Sequence, residues 1–117
     1  MSTEATQAVL NHHLECFGAN DLDGLMSDYA EDVVFLTPEG VVRGHDNIRK
    51  IFEGFFAVFP TGEMSLKMLN VSADGEWAYI LWSGEGPAHT APLGTDTFWV
   101  RDGKIVIQSF AARLDPK

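Results

Sequence analysis

The stretch from Gly94 to Leu114 constrains the fold most. Two β-rich apolar runs, Gly94 to Val100 and Lys104 to Leu114, meet across Arg101-Asp102-Gly103. Runs of this kind around an Asp-Gly step read as an antiparallel hairpin. One face of it carries a carboxylate, Asp96, among Phe98, Val100 and Phe110. Apolar surroundings disfavour the ionised form of such a group, which suits it to handling a proton or an oxyanion.

The chain ahead of the hairpin reads first as helices. From about Thr3 to Ala19 the apolar positions Val9, Leu10, Leu14 and Phe17 recur at helical spacing, with His13 and Cys16 inside the stripe. His13 is therefore expected to face inward and His12 to sit nearer the edge. Asn20-Asp21 breaks this helix and caps a short second one, in which Leu22, Leu25, Met26 and Tyr29 follow the i, i+3, i+4, i+7 pattern, placing Tyr29 at its inner end. Val33 to Thr37, ended by Pro38, and Val41-Val42 after Glu39-Gly40 predict a short edge ribbon. Gly44-His45-Asp46 starts a third helix with Ile48, Ile51, Phe52, Phe55 and Phe59 on its apolar face, and Pro60 and Gly62 end it.

After Gly62 the period falls to two. Met64, Leu66 and Met68 alternate with polar residues, and Asp74-Gly75 turns the chain into Trp77 to Ser83. Gly84 to Gly94 is rich in breakers and reads as an irregular connection. The order is three helices and a ribbon, then about four antiparallel strands: an α+β fold with the helices on one face of a curved antiparallel sheet, expected to form one domain over residues 1–117. Such a sheet bent around helices makes a cone with an apolar interior, open at one end to a small ligand.

Charge and composition narrow the partners. Seventeen acidic residues against 8 basic ones give a net charge of −9, which repels nucleic acid and anionic membrane. No apolar run approaches the ~18 residues of a membrane span. The single Cys16 cannot form an internal disulfide, and the N-terminus resembles no secretory leader, so a soluble cytoplasmic protein is expected. The four histidines do not fall at metal-ligand spacing with carboxylates, and phosphate loops, dinucleotide fingerprints and a Ser-His-Asp set are absent, so neither metal nor cofactor is expected.

Five segments, Asn20 to Leu25, Tyr29 to Asp32, Pro38 to Gly40, Gly44-x-x-x-Ile48-Arg49 with the Phe-rich helix after it, and Arg101 to Ile105, together resemble the nuclear transport factor 2-like superfamily. This is the cone-shaped α+β barrel of ketosteroid isomerases and SnoaL-like polyketide cyclases, and the resemblance covers nearly the whole chain. The tail Gln108 to Leu114 resembles a bacterial subgroup of it. The resemblance implies the fold strongly and the activity weakly, since the fold hosts isomerases, cyclases, dehydratases, hydrolases and binding modules. Carried across, the isomerase oxyanion-hole tyrosine falls on His13, its supporting tyrosine on Tyr29, the protonated aspartate on Asp96, a further network tyrosine on Phe52 and the general base on Thr37. A threonine is no base of that kind, and the cyclases' late-strand acid has no counterpart among Gln108, Ser109 and Phe110, so the usual isomerase route is not expected.

The side that Asp96 faces depends on the hairpin loop. A two-residue loop pairs Arg101 with Lys104 and puts Asp96 on a face with Ser109; a three-residue loop pairs Val100 with Lys104 and sets Asp96 against Gln108. Gly103 suits the left-handed position closing a three-residue turn and the resemblance agrees, so Asp96, Gln108 and Phe110 are expected inside. There Asp96 would act as a protonated donor to a ligand oxygen, the role the ketosteroid isomerase precedent gives a buried carboxylic acid. The plainer reading has it binding backbone N–H groups at the strand start.

His13 is expected to donate to the same oxygen, pair with Asp96 or serve as base, oriented by Tyr29; a satisfied core histidine is its plainer reading. Phe17, Phe35, Thr37, Phe52, Phe55, Gln108 and Phe110 are the expected ligand-binding residues, although aromatic rings more often form core. Glu39, Glu85 and His89 read as solvated turn or loop residues. Trp82 and Trp99 fall on strand faces opposite Leu81 and Phe98, so an apolar outer sheet face is expected to join two copies into a homodimer. The expected function is a small-molecule pocket with cofactor-independent proton-transfer chemistry on an apolar carbonyl or hydroxyl compound. A non-catalytic binding or dimeric interaction module is the alternative.

Overall fold

The computed structural model describes residues 2–117. Its elements are α1 (Thr3–Gly18), α2 (Leu22–Met26), β1 (Tyr29–Thr37), β2 (Gly40–Arg43), α3 (His45–Val58), β3 (Ser65–Asp74), β4 (Trp77–Glu85), β5 (His89–Arg101) and β6 (Lys104–Pro116). All six strands join one sheet in the order β2-β1-β6-β5-β4-β3. Helix α1 packs across β3 to β5, and α3 packs over β1 and β2. The fold is the expected α+β arrangement of three helices on a curved, mostly antiparallel sheet.

Local chemistry fixes the helix ends. Ser2 caps α1 by accepting from the Ala5 amide at 3.1 Å, and Asp21 caps α2 by accepting from the Gly24 amide at 3.0 Å. Between them Asn20 turns left-handed at φ 52°. Its side-chain amide donates to the carbonyls of Phe17 and Phe59 and accepts from the Thr61 amide, tying the end of α1 to the end of α3. That tie holds the two helices at a fixed spread over the sheet.

Two elements differ from the sequence reading. Helix α2 ends at Met26, and Tyr29 opens β1 rather than closing a helix. The Ile105 amide donates to the Asp28 carbonyl at 2.7 Å and Tyr29 lies beside Ile105, so sheet pairing overrides a helical spacing only four residues deep. The predicted ribbon is also no separate piece: β1 pairs in parallel with β6, so of the two ribbon strands β2 alone lies at a sheet edge. The segment after Ser83 is mostly strand, with only residues 86–88 between β4 and β5.

The hairpin loop is the two-residue one. Arg101 pairs with Lys104, and Asp102 and Gly103 take φ 52° and 76°, the left-handed pair of a type I′ turn. The three-residue loop is thereby corrected, and so is the direct pairing of Asp96 with Gln108. A β-bulge leaves Val106 unpaired between Ile105, opposite Val100, and Ile107, opposite Trp99. Beyond it Phe98 stands opposite Gln108 and Asp96 opposite Phe110. The bulge restores the facing that the loop alone would have reversed, so Asp96, Phe98, Gln108 and Phe110 share the inner face. Further register shifts in β3–β4 and β4–β5 bend the sheet around the helices.

The core between sheet and helices is aromatic at its centre. Phe52 of α3 is buried and meets His13, Phe17, Tyr29, Phe35, Phe55 and Phe56 with ring centroids 5.4 to 6.4 Å apart. Phe52→Ala removes this hub from both helices at once. It should cost about 3–5 kcal/mol of unfolding free energy, measurable by urea denaturation.

Candidate functional site

Asp96 sits in the middle of β5 and is 7% exposed. Its two oxygens are held by different donors: the Trp82 indole N–H at 2.9 Å on one, and the Gln108 side-chain amide N–H at 2.8 Å on the other. Burial pushes the carboxyl up to about 6, while the two donors pull the other way. The result is a carboxylate whose proton affinity lies near neutrality, stabilised as an acceptor rather than as the lone protonated donor expected from sequence.

Trp82 reaches Asp96 because of Gly94. The two are cross-strand partners, and a Cβ on Gly94 would lie 2.3 Å from the Trp82 ring, so the indole occupies the space a side chain would need. This corrects the placement of Trp82 on the outer face. Ala78, Ile80 and Trp82 point inward, while Trp77, Tyr79 and Leu81 pair with the outward residues Trp99, Thr97 and Thr95. Trp82 is thus a site residue that the sequence reading missed. Its signal was there, in sharing strand parity with the apolar Ala78 and Ile80.

Behind Gln108 the hydrogen bonds continue. The Tyr29 hydroxyl donates to the Gln108 carbonyl oxygen at 2.5 Å and lies 3.2 Å from His13 Nε2. His13 Nδ1 is 3.3 Å from Asp28, whose carboxylate also meets His12 Nδ1 at 2.8 Å. Asp28 is buried, and burial raises the Tyr29 hydroxyl well above its ordinary value, with the Asp96 and Asp28 charges adding to it. So Tyr29 does meet His13, but His13 pairs with Asp28, not directly with Asp96. Both of its ring nitrogens are engaged.

Asp96 opens onto a cavity of about 940 Å³. His13, Phe17, Thr37, Phe52, Phe55, Asp96, Gln108 and Phe110 all line it, together with Ile80, Trp82 and Phe98. Its mouth is formed by the exposed Pro38, Glu39, Gly40, Val41 and Leu114. Phe35 and Tyr29 are not in the lining: Phe35 stacks behind Phe52 and Phe110, and Tyr29 acts through its neighbours. The Thr37 hydroxyl donates to the Gly40 carbonyl and accepts from the Glu39 amide, so it closes the β1–β2 turn at the rim. Glu39 stands at the mouth, whereas Glu85 and His89 lie at the β4–β5 turn outside the lining.

Two other chemistries are testable on the geometry. Cys16 Sγ lies 3.5 Å from His12 Nε2, and His12 in turn faces Asp28, the outline of a nucleophile, base and orienter. However, burial and the nearby Asp21, Asp28 and Glu15 push the thiol up, the reverse of thiolate activation. Among the described residues no three His, Cys, Asp or Glu side chains gather to hold a metal ion, and no helix is long and apolar enough to cross a membrane.

The profile of the SnoaL-like domain family matches residues 10–108. No protein in a comparison with curated sequences matches the chain. Among solved structures, a candidate ketosteroid isomerase from Kribbella flavida superimposes with a TM-score of 0.78 at 17% identity, covering 95% of this chain and 79% of its own. AclR, a candidate hydroxylase from Streptomyces galilaeus, gives 0.80 at 16% identity over 96% of this chain and 91% of its own. A nuclear transport factor 2-like protein of unknown function from Burkholderia xenovorans gives 0.79 at 19% identity over 97% and 86%. At these identities the likeness is one of fold.

The raised Asp96 carboxyl has a consequence for stability. Between its unfolded value and about 6 the folded chain holds a proton that the unfolded chain releases, so this group's contribution falls as pH rises through that window. Asp96→Asn removes the ionisation. Its Tm relative to the parent should therefore improve from pH 4 to pH 8, by the equivalent of about 3 kcal/mol at most. Calorimetry at the two pH values reads the difference.

Proposed function

The chain belongs to the SnoaL-like domain family, and we propose that it is a small-molecule pocket protein that moves a proton within an apolar carbonyl or hydroxyl compound, using its own side chains and no resident cofactor. The observation that carries this reading is Asp96: a single carboxylate with a proton affinity near neutrality, set in the apolar wall of a cavity. At pH 7 the carboxylate form predominates, and its lone pairs not used by Trp82 and Gln108 can accept a proton from a C–H or O–H placed against it. The aromatic walls bind a flat or ring-shaped body and exclude water, which strengthens the charge of the base. Once protonated, Asp96 can return the proton at another atom of the same molecule, completing an isomerisation or assisting ring closure or elimination. Thr37, where the isomerase base would stand, takes no part.

A screen of small ketones, phenols and terpenoid-like molecules by thermal shift would identify ligands of the cavity. With a substrate in hand, kcat/KM should rise with pH through an apparent pKa near 6, and Asp96→Asn should lower kcat at least about 100-fold while ligands still raise Tm. Unchanged turnover in Asp96→Asn overturns the reading. One feature favours a second reading, a binding module. Both oxygens of Asp96 and both nitrogens of His13 already have partners, so a ligand can be anchored with no proton moved. Binding without turnover across the screen would select it.

The same proposal includes a homodimer through the outer sheet face. Trp77 and Trp99 stack there at 5.5 Å with an interplanar angle of 11°, Arg101 covers the Trp99 ring, and Tyr79 and Leu81 extend the surface over β4. Thr97 and Ser109 are opposite each other at its centre, small enough for a second sheet to approach. Sedimentation velocity should give the mass of two chains, and Thr97→Arg should give one.

A further inference from the structure

The side chains that hold Asp96 form an unbroken line to the far side of α1, where the His12 side chain is 50% exposed. The line runs Asp96, Gln108, Tyr29, His13, Asp28, and each step is a hydrogen bond of 2.5 to 3.3 Å. We propose that Asp28 is a positioning residue for Asp96, acting through His13, Tyr29 and Gln108 as one reversible hydrogen-bond chain that exchanges a proton between the cavity carboxylate and His13. The inference rests on the acid–base reading of Asp96 and names what controls it.

The donor count along the line permits two polarities. In the first, the Gln108 amide N–H donates to ionised Asp96, so its carbonyl oxygen faces Tyr29 and must receive the hydroxyl proton. Tyr29 has one proton, so its oxygen can only accept from His13 Nε2–H. His13 Nδ1 then faces the Asp28 carboxylate and carries a proton as well, making His13 an imidazolium. In the second polarity Asp96 holds the proton and donates to the Gln108 carbonyl. The Gln108 amide turns over to donate to Tyr29, Tyr29 donates to His13 Nε2, and neutral His13 keeps only its Nδ1 proton on Asp28. Protons balance: His13 loses one and Asp96 gains one, while Tyr29 keeps one throughout. Both states give each link of the line one donor and one acceptor, and an arrangement with a single member reversed leaves two donors or two acceptors face to face.

Among the described residues no other titratable group interrupts the line. His13 meets Asp28 ahead of β1 and Tyr29 on β1, while His12 of α1 shares the Asp28 carboxylate and Cys16 lies against His12; around Asp96 on β5 the neighbours are Trp82 of β4 and Gln108 of β6, neither of which titrates, and α3 offers Phe52 to His13. Asp28 is therefore the acceptor that a proton on His13 Nδ1 faces, and so the end of the line on which both polarities are anchored.

The sign of one substitution separates this chain from simple electrostatics. Removing a negative charge at Asp28 acts through space to make Asp96 easier to ionise, which lowers its midpoint. Acting through the chain, Asp28→Asn withdraws the partner of the imidazolium, favours the second polarity and raises the Asp96 midpoint. Carbon-13 NMR titration of the Asp96 carboxyl should show an upward move of about one pH unit in Asp28→Asn. In Asp28→Asn/Tyr29→Phe, where the line is cut, the midpoint should fall below that of Tyr29→Phe alone. In the unsubstituted protein the internal exchange takes up no net proton, so at one fixed pH relaxation dispersion of the Asp96 carboxyl carbon and of His13 Nε2 should give one common exchange rate, a measurement that stands if a variant fails to fold. An unchanged or lowered Asp96 midpoint in Asp28→Asn, or different exchange rates at Asp96 and His13, overturns the proposal. No substrate enters these titrations, so their failure leaves the catalytic reading of Asp96 to its turnover test.

Discussion

A carboxylate inside an apolar cone persists only if something donates to it. Left bare, the buried charge of Asp96 would cost several kcal/mol, and the group would simply hold its proton over the working range of pH. The Trp82 indole and the Gln108 amide supply one hydrogen bond to each oxygen, and much of the surrounding architecture serves those two donors. Gly94 clears the space for the indole. The Val106 bulge turns Gln108 inward. Tyr29, brought beside β6 by the parallel pairing of β1, fixes the amide from behind. The proton affinity near neutrality is the balance between burial on one side and these donors on the other.

The same balance separates this site from the isomerase pattern it resembles in fold. There the precedent is a carboxylic acid kept protonated by apolar surroundings so that it can donate. Here two N–H donors reward the ionised form, so the corresponding position becomes an acceptor. With a threonine at the usual base position, the cavity wall still holds one buried carboxylate, Asp96, whose proton affinity is raised by its surroundings.

Much of this was legible in the sequence. Helical spacing put His13 inward, the Phe-rich face of α3 marked the cavity wall, and a switch of period from 3.6 to 2 after Gly62 located the sheet. What was not legible has a common cause, which is that long-range pairing decides it. Tyr29 fits a helix by spacing, but Ile105, distant in sequence, draws it into the sheet. Trp82 alternates with Leu81 in a run that is apolar at both parities, so alternation leaves its facing open, and the glycine opposite it shows where the indole goes. Asp28 carried no signal at all, since a carboxylate in a short polar turn reads as solvated until two histidines close over it.

The unpaired Val106 works as a parity bit. The strand on its hairpin side and the strand beyond it would otherwise be locked in one alternation, with Ser109 rather than Gln108 beside the carboxylate. Pairing Val106 with Trp99, instead of leaving it out, would exchange the whole inner and outer sets of β6 beyond it without altering any amino acid, whereas deleting Val106 would flatten the bulge and keep both sets. An amide-buffered carboxylate would become one facing a hydroxyl, and the side chains on the outer sheet face would change in the same step. Within this architecture the cavity wall and the outer face of β6 are one register slip apart, and neither set of side chains can be changed that way without the other.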